Sequence, residues 1–426
     1  MEEAARCWGS NHDDLLLKLC FIIAEQMISE DCCLIIRSIT DAVNDLDELQ
    51  KITELPDLRF RKAITKLQHK QIITIDPLEV NIYSIFNKLL YPHFIKFAED
   101  YSLIPQDKPY IEKIARKVLD EPTLNSEKLV GSLTTKHKGL DSIRLSIVID
   151  YLIKKNVLVE DSDNAKLKFN FGRFLSKQRE AALLQFVELN DRRVYDVVRA
   201  LFSDDLYHDC LVTCSDTSFN EDDVICHISE ETGLSNKEIN SIFGILKTPE
   251  YSFISPTDDI LTPSRAINIF KIKKIGHLLT EIGYPLAKRV INLLIRKESL
   301  EGNSICESIL LTTERGRELL EKMYTLGILE KEALQDAPHT TLKRQYVVWK
   351  ISSYSALNNA SAYLIGVLAK LYADLLTEQA TMEKESGAGR NQENDENRKR
   401  RFDEKTQILQ NTMFSVTKRY IEIHEL

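Results

Sequence analysis

At four places along the chain an amphipathic stretch stops at a small or polar residue and gives way to a β-branched or aromatic run. Leu67-Gln68-His69-Lys70-Gln71-Ile72-Ile73 is the first copy and Leu152-Ile153-Lys154-Lys155-Asn156-Val157-Leu158 the second. Met323-Tyr324-Thr325-Leu326-Gly327-Ile328-Leu329 is another, and a looser one runs from Phe243 to Leu246, with Thr248-Pro249 inserted before Tyr251-Ser252-Phe253-Ile254. In the close copies an apolar residue precedes the first strand residue by five positions, with Gln71, Asn156 or Gly327 just before the strand. Gly and Asn tolerate positive φ, so a helix can end there on a left-handed cap. Turn chemistry and an alternating return follow: Asp76-Pro77 then Val80–Tyr83, Asp161–Asn164 then Leu167–Phe171, Ser255–Asp259, and a longer loop before Tyr346–Trp349. Alternation on both sides of a turn reads as a β-hairpin.

Helices followed by one small hairpin make the winged-helix variant of helix-turn-helix. Strand starts at 72, 157, 253 and 328 lie 85, 96 and 75 residues apart, which suits a module of roughly 80 residues. The predicted organisation is winged helices over 10–86, 87–176, 177–270 and 271–352; the competing reading has fewer modules and coincidental helix–strand joints. Composition agrees with a mainly α fold. Only 14 glycines and 11 prolines occur in 426 residues, too few for a sandwich, barrel or propeller, which needs punctuation every ~8–12 residues. A hydrophobic share of 43% excludes bulk disorder.

The last segment, 353–426, has a different pattern. Leu357, Ser361, Leu364, Leu368, Leu371 and Leu375 alternate four and three apart, a coiled-coil seam. Phe402, Thr406, Leu409, Met413, Val416, Tyr420 and Ile423 resume it after a polar stretch, 383–405, that contains Gly387 and Gly389 and reads as a flexible link. Tandem winged helices followed by an antiparallel coiled-coil hairpin is the expected fold; one long helix with a break is the other way to satisfy the seam.

The net charge is −9, so the chain does not coat nucleic acid, and any contact with it is local. The acidic start Met1-Glu2-Glu3 has no apolar run of a secretory signal. Charges at Lys18, Asp150 and Lys370 interrupt the most apolar windows short of the ~18 residues a membrane span requires, so no membrane partner is expected. Eight scattered cysteines do not form a secreted framework. Arg398-Lys399-Arg400-Arg401 is a candidate nuclear import signal, or a solvated charge cluster. Phosphate-cradling glycine loops, H-E-x-x-H and G-x-S-x-G are absent from the sequence, and the Asp pairs lie in turn-like stretches. His208, Cys210, Cys214, Cys226 and His227 are metal-ligand types, but their spacing lacks the usual two-residue cysteine gap, and free cysteine is a common core residue. The chain is expected to be no enzyme, with no cofactor and no small-molecule substrate.

Positive charge gathers on a few elements. Arg59, Lys62, Lys66 and Lys70 lie opposite Phe60, Ala63, Ile64 and Leu67 on the helix before the first hairpin. Such a stripe can bind phosphates or dock on an acidic protein, and it lacks the paired amide side chains of base reading. Lys136 and Lys138, Lys271–Lys274, and the wing pair Lys343-Arg344 are further candidates. The helix 141–155 is apolar on more than one side, which predicts a second buried face.

Three stretches carry a family resemblance: Asn87-Lys88-Leu89-Leu90-Tyr91-Pro92-His93-Phe94, then Phe169-Asn170-Phe171-Gly172-Arg173-Phe174 with Gln178-Arg179-Glu180 after it, and Arg344-Gln345-Tyr346-Val347-Val348-Trp349. In order and spacing they resemble the third-largest subunit of DNA-directed RNA polymerase III, which carries tandem winged helices related to TFIIE-alpha and ends in a coiled coil. The resemblance covers nearly the whole chain, although this chain is short in the loops of its middle modules. It implies a non-catalytic nuclear protein that joins two smaller subunits in a trimer, docks on the clamp of the largest subunit, and helps open promoter DNA through sequence-independent backbone contact. A structural subunit of a lid-type assembly, with helical repeats and a single winged helix, is the alternative; three or four separate hairpins would exclude it.

Overall fold

The computed structural model describes residues 11–426 apart from 28, 41–44, 76, 123, 138, 162–164, 189–191, 204, 336–344 and 387–391. Among the described residues the chain is mainly helical with a few short strands. It forms two compact units, one of Asn11–Phe174 with Leu364–Lys418 and one of Leu175–Tyr363 with Arg419–Leu426.

In the first unit, α1 (His12–Met27), α2 (Glu30–Thr40), α3 (Leu46–Thr53) and α4 (Asp57–His69) lead into the hairpin β1 (Ile73–Ile75) and β2 (Leu78–Val80), with Ile73 opposite Val80. Helix α5 (Ile82–Glu99), a 3-10 turn, α6 (Lys108–Asp120), α7 (Ser126–Lys136) and α8 (Ser142–Lys154) precede β3 (Leu158–Glu160) and β4 (Leu167–Phe169), paired through Leu158 and Phe169. Helix α9 (Phe171–Glu188) begins here. The second unit holds α10 (Arg192–Ser203), α11 (Asp205–Thr213), β5 (Thr217–Ser218), α12 (Glu221–Thr232), α13 (Asn236–Leu246) and β6 (Ile260–Leu261), with β5 antiparallel to β6. It continues through α14 (Pro263–Glu281), α15 (Ala287–Lys297), β7 (Ser299–Glu301), α16 (Gly302–Ser308), α17 (Thr313–Thr325), β8 (Leu329–Gln335) and β9 (Gln345–Ile351). The last three strands form one sheet in the order β7-β9-β8.

The junctions seen in the sequence share one backbone geometry. Before each strand, after the helix, the chain passes through a positive φ, at Gln71, Asn156, Ser252 and Gly327. The next N–H then reaches back to the carbonyl of the last core residue: Ile72 to Leu67, Val157 to Leu152, Phe253 to Leu246 and Ile328 to Met323, at 2.9–3.0 Å. This bond satisfies a carbonyl that the helix end leaves open. All eight of those residues are 0% exposed, so each junction is the floor of a core. After the hairpin or bridged strands the chain returns, and the N–H groups of Asn81, Asn170, Thr262 and Ser352 donate to the carbonyls of the same four strand-starting residues. Each of these four immediately precedes a helix, α5, α9, α14 or α18 (Ser353–Ser386). Asn, Thr and Ser are favoured there because their side chains can accept helix N–H groups. Asn81 accepts from Ser84 and Asn170 from Arg173. The inserted Thr248-Pro249 of the loose copy adds one turn, since Ser252 N–H bonds to Thr248 O.

The helix after each pairing therefore begins just past residue 81, 170, 262 or 352. The expected divisions at 86/87, 176/177 and 270/271 lie inside α5, α9 and α14, because the helix after each hairpin starts at its cap rather than at the next apolar period. Helix α5 also runs through Pro92.

The link expected over 383–405 is shorter. Helix α18 extends to Ser386 and α19 (Gln392–Tyr420) begins soon after. Glu, Gln, Arg and Lys are good helix formers, and no Gly or Pro occurs from Gln392 to Lys405. Arg400 adds an ion pair to Glu404 at 3.2 Å, one turn on. Lys405 bonds Glu378 at 2.9 Å, tying α19 to α18 in antiparallel sense. Along the seam Leu364, Leu368, Leu375, Tyr420 and Ile423 are buried, and Leu357, Leu371, Leu409, Met413 and Val416 half-buried. Ser353–Glu383 is long and apolar enough to cross a membrane by length and composition, a correction to the reading that Lys370 interrupts every such window. Its buried residues include Ala356, Ala360, Ser361, Leu364, Ile365 and Leu368, and Asn359 donates to the Leu326 carbonyl at 2.9 Å; within this fold that first part of the helix is core.

Candidate nucleic-acid interface

Helix α4 owes its form to one apolar stripe. Phe60, Ala63, Ile64 and Leu67 are buried, and Lys62 and Lys66 are exposed on the opposite side. Arg59 is different: its guanidinium donates to both carboxylate oxygens of Asp31, at 3.0 and 2.5 Å, and so ties α4 to α2. A planar fork on a carboxylate is a strong pair, which leaves Lys62 and Lys66 as the available charges of the stripe. Lys70 caps the helix and is half-buried.

The other basic candidates scatter. Lys136 is exposed in the last turn of α7; Lys138, Lys343 and Arg344 lie outside the described residues. The run Lys271–Lys274, expected on a surface, is turned inward. Lys273 lies 4.5 Å above the Phe186 ring, and Lys274 bonds Glu422 at 3.0 Å. Burial pushes the Lys271 and Lys273 ammonium groups below their usual range. Lys399, Arg400 and Arg401 are exposed on α19, while the side chain of Arg398 lies outside the described ones. On α8, Leu145, Val148, Ile149 and Leu152 are buried, but Ile143 is 70% and Ile147 46% exposed, so the second apolar side expected to be covered is open within this chain.

The cysteine–histidine group divides. Cys210 is buried and its thiol donates to the Tyr207 carbonyl at 3.1 Å, Cys214 is half-buried, Cys226 is exposed, and His227 Nε2 lies 3.2 Å from the Ala200 carbonyl. Among the described residues no three His, Cys, Asp or Glu side chains are grouped to hold a metal ion.

Each stretch that carries the family resemblance contributes residues to the core. Phe94 of α5 packs edge-on against Phe174 at 4.8 Å and Phe171 at 5.0 Å, and tilted against Phe169 at 5.4 Å. Next to it, His93 is buried and stacks on Phe414 of α19 at 4.0 Å, with Nε2 2.7 Å from Thr417 Oγ1. The Thr417 hydroxyl also reaches the Met413 carbonyl at 2.9 Å. Burial first, then Lys418 and Lys96, lower His93 to about 4, against an opposing pull from the Phe414 backbone. Trp349 of β9 is buried, with the Lys331 ammonium 4.9 Å from its ring.

Sequence reasoning missed one site. Lys70, Lys88 and Lys168 line a concave pocket in the first unit, with Asp120, Tyr91 and Phe171. Lys88 lies on α5, and Lys70 is 18 positions away on another element, so only the fold brings the two together.

Compared with the models of known protein families the chain matches none, and no curated protein matches it significantly.

Proposed function

We propose that this chain is a non-catalytic subunit of DNA-directed RNA polymerase III that belongs to a polymerase-specific heterotrimer, docks on the clamp through protein contacts, and assists promoter opening by holding DNA through backbone phosphates. The observation that carries this reading is the fourfold junction. A helix, a left-handed residue, a short antiparallel pairing and a following helix recur four times, and a helical hairpin closes the series. We read each copy as a winged helix and the hairpin as a coiled coil, the order of the resembled subunit. Four separate sheets argue against the single-wing plan of a lid-type assembly.

Phosphate contact is assigned to α4, where Lys62 and Lys66 present charge to solvent. Each phosphate neutralised by a lysine contributes about 0.9 to the slope of log affinity against log salt on duplex DNA. Replacing both lysines by glutamine is therefore expected to lower the slope by about 2, and affinity by about tenfold at moderate salt, with unchanged helicity. Filter binding of a labelled duplex across a salt series measures both. Identical slopes for the variant and the wild-type chain would remove α4 from the DNA contact.

A further inference from the structure

The pocket around Lys88 is built unlike an ordinary surface dent. It encloses about 190 Å³ between the C-terminal end of α4, one face of α5, the end of α6 and strand β4. Its floor includes Val118, Leu119 and Phe169, and the Tyr91 hydroxyl is turned into the wall, donating to the Leu119 carbonyl at 2.7 Å.

Two ammonium groups share this space. Lys70 and Lys88 both line it, and the Lys70 charge disfavours the Lys88 ammonium, with Asp120, also in the lining, pulling the other way and Lys66 adding a weaker repulsion. Burial and then the Lys70 charge lower Lys88 to about 8. The third lysine, Lys168, is exposed at the rim and already bonds Asp161 at 2.8 Å. Holding two like charges together in a half-buried pocket is unfavourable, and an anion between them reverses the sign of that interaction. Tetrahedral oxyanions fit the chemistry, because ammonium groups bind phosphate oxygens as point charges. Beside the lysines, Phe171 is 41% exposed, a flat apolar ring of the kind on which nucleobases stack.

We propose that this pocket is a nucleotide-phosphate site, in which the Lys70 and Lys88 ammonium groups bridge one phosphate and the Phe171 ring takes the attached base. The nucleotide is either free or part of a strand. The proposal deepens the DNA reading above, since Lys70 continues the stripe of α4 into the pocket, but it rests as well on Lys88 and Phe171, which the stripe does not use.

Isothermal titration of the full chain at low salt tests it with three probes: inorganic pyrophosphate, thymidine monophosphate and a twelve-residue oligothymidylate. Wild type binds all three. Lys88→Met weakens each at least tenfold, the scale of one charge-assisted hydrogen bond, and Lys88→Arg restores them. Phe171→Ala weakens the two thymidine probes and leaves pyrophosphate unchanged. Affinity falls about tenfold from pH 7 to pH 9 as Lys88 loses its proton, and Lys88→Arg abolishes that fall. An oligothymidylate bound far more tightly than the monophosphate assigns the site to a strand, and equal affinities assign it to a free nucleotide. Equal binding by wild type and Lys88→Met, or binding of no probe, overturns the proposal. The two readings separate cleanly. Oligothymidylate binding that survives in Lys62→Gln/Lys66→Gln but drops in Lys88→Met keeps the pocket and removes the stripe, and the reverse pattern removes the pocket alone.

Discussion

Between pH 7 and pH 4.5 the contact of α19 with α5 is expected to lose about 2–3 kcal/mol through His93 alone. The folded pKa of this histidine is about 4, below the ~6.5 of an unfolded chain. As pH falls through 6.5 the unfolded state takes up a proton that the folded site refuses, so stability is full above pH 6.5 and is lost steadily down to about pH 4. His93 refuses it because a charged imidazole would be buried against Phe414, with Lys418 and Lys96 close by. His93→Gln keeps a hydrogen-bonding side chain beside Thr417 and removes the titration. Hydrogen exchange over 413–418, corrected for the intrinsic effect of pH, should rise in acid for wild type and stay nearly flat for the variant. His277 in the second unit is shifted in the same direction, so the difference between the two proteins, rather than the wild-type slope, measures His93. Parallel pH profiles would show that the histidine is not held neutral.

Gly327→Ala should destabilise the second unit by about 2–3 kcal/mol. The backbone there has φ of +68°, where an alanine costs about 1–2 kcal/mol more than glycine. Its Cβ would also stand 2.3 Å from Asn359 Nδ2, which must then release the Leu326 carbonyl it holds at 2.9 Å, at about 1 kcal/mol. The sign reverses at the equivalent residue of the second copy. Asn156 has φ of +56°, and Asn156→Gly should be neutral or stabilising by a few tenths of a kcal/mol to 1 kcal/mol. Urea midpoints of the two variants against wild type measure both. Equal small effects at the two positions would mean that the junctions are not copies of one geometry.

Much of the junction geometry was legible in residues. Gln71, Asn156 and Gly327 mark helix ends because few residues accept a left-handed backbone, and a β-branched residue directly after them has only a strand to enter. The looser copy was legible from its apolar run and the Thr248-Pro249 insertion instead, since Ser252 gave no such hint. The caps Asn81, Asn170, Thr262 and Ser352 were readable from local chemistry too, but a helix start between apolar residues on both sides leaves no break in periodicity. That is why the expected boundaries fell inside three helices. The polar stretch around Arg400 misled for the opposite reason: it lacks an apolar face, yet Glu, Gln, Lys and Arg suit a helix once Lys405 has Glu378 to meet.

The interface was less legible because charge in sequence does not say which way it points. Arg59 reads as one of a stripe with Lys62 and Lys66, and only the placement of Asp31 on α2 takes it out. Lys273 and Lys274 read as a surface run and are half-buried against Phe186, Phe270 and Glu422. Lys88 reads as a helix lysine like any other. Its distinction is a neighbour from another element, and long-range proximity has no signature in one sequence.

The central claim is tested most directly by purifying the full chain with a small affinity tag from the cells that make it and identifying the co-purifying proteins by mass spectrometry. The account predicts the large subunits of RNA polymerase III together with two smaller trimer partners, in constant ratio to the tagged chain. Recovery of a lid-type assembly instead, or of the chain without any polymerase subunit, would contradict it.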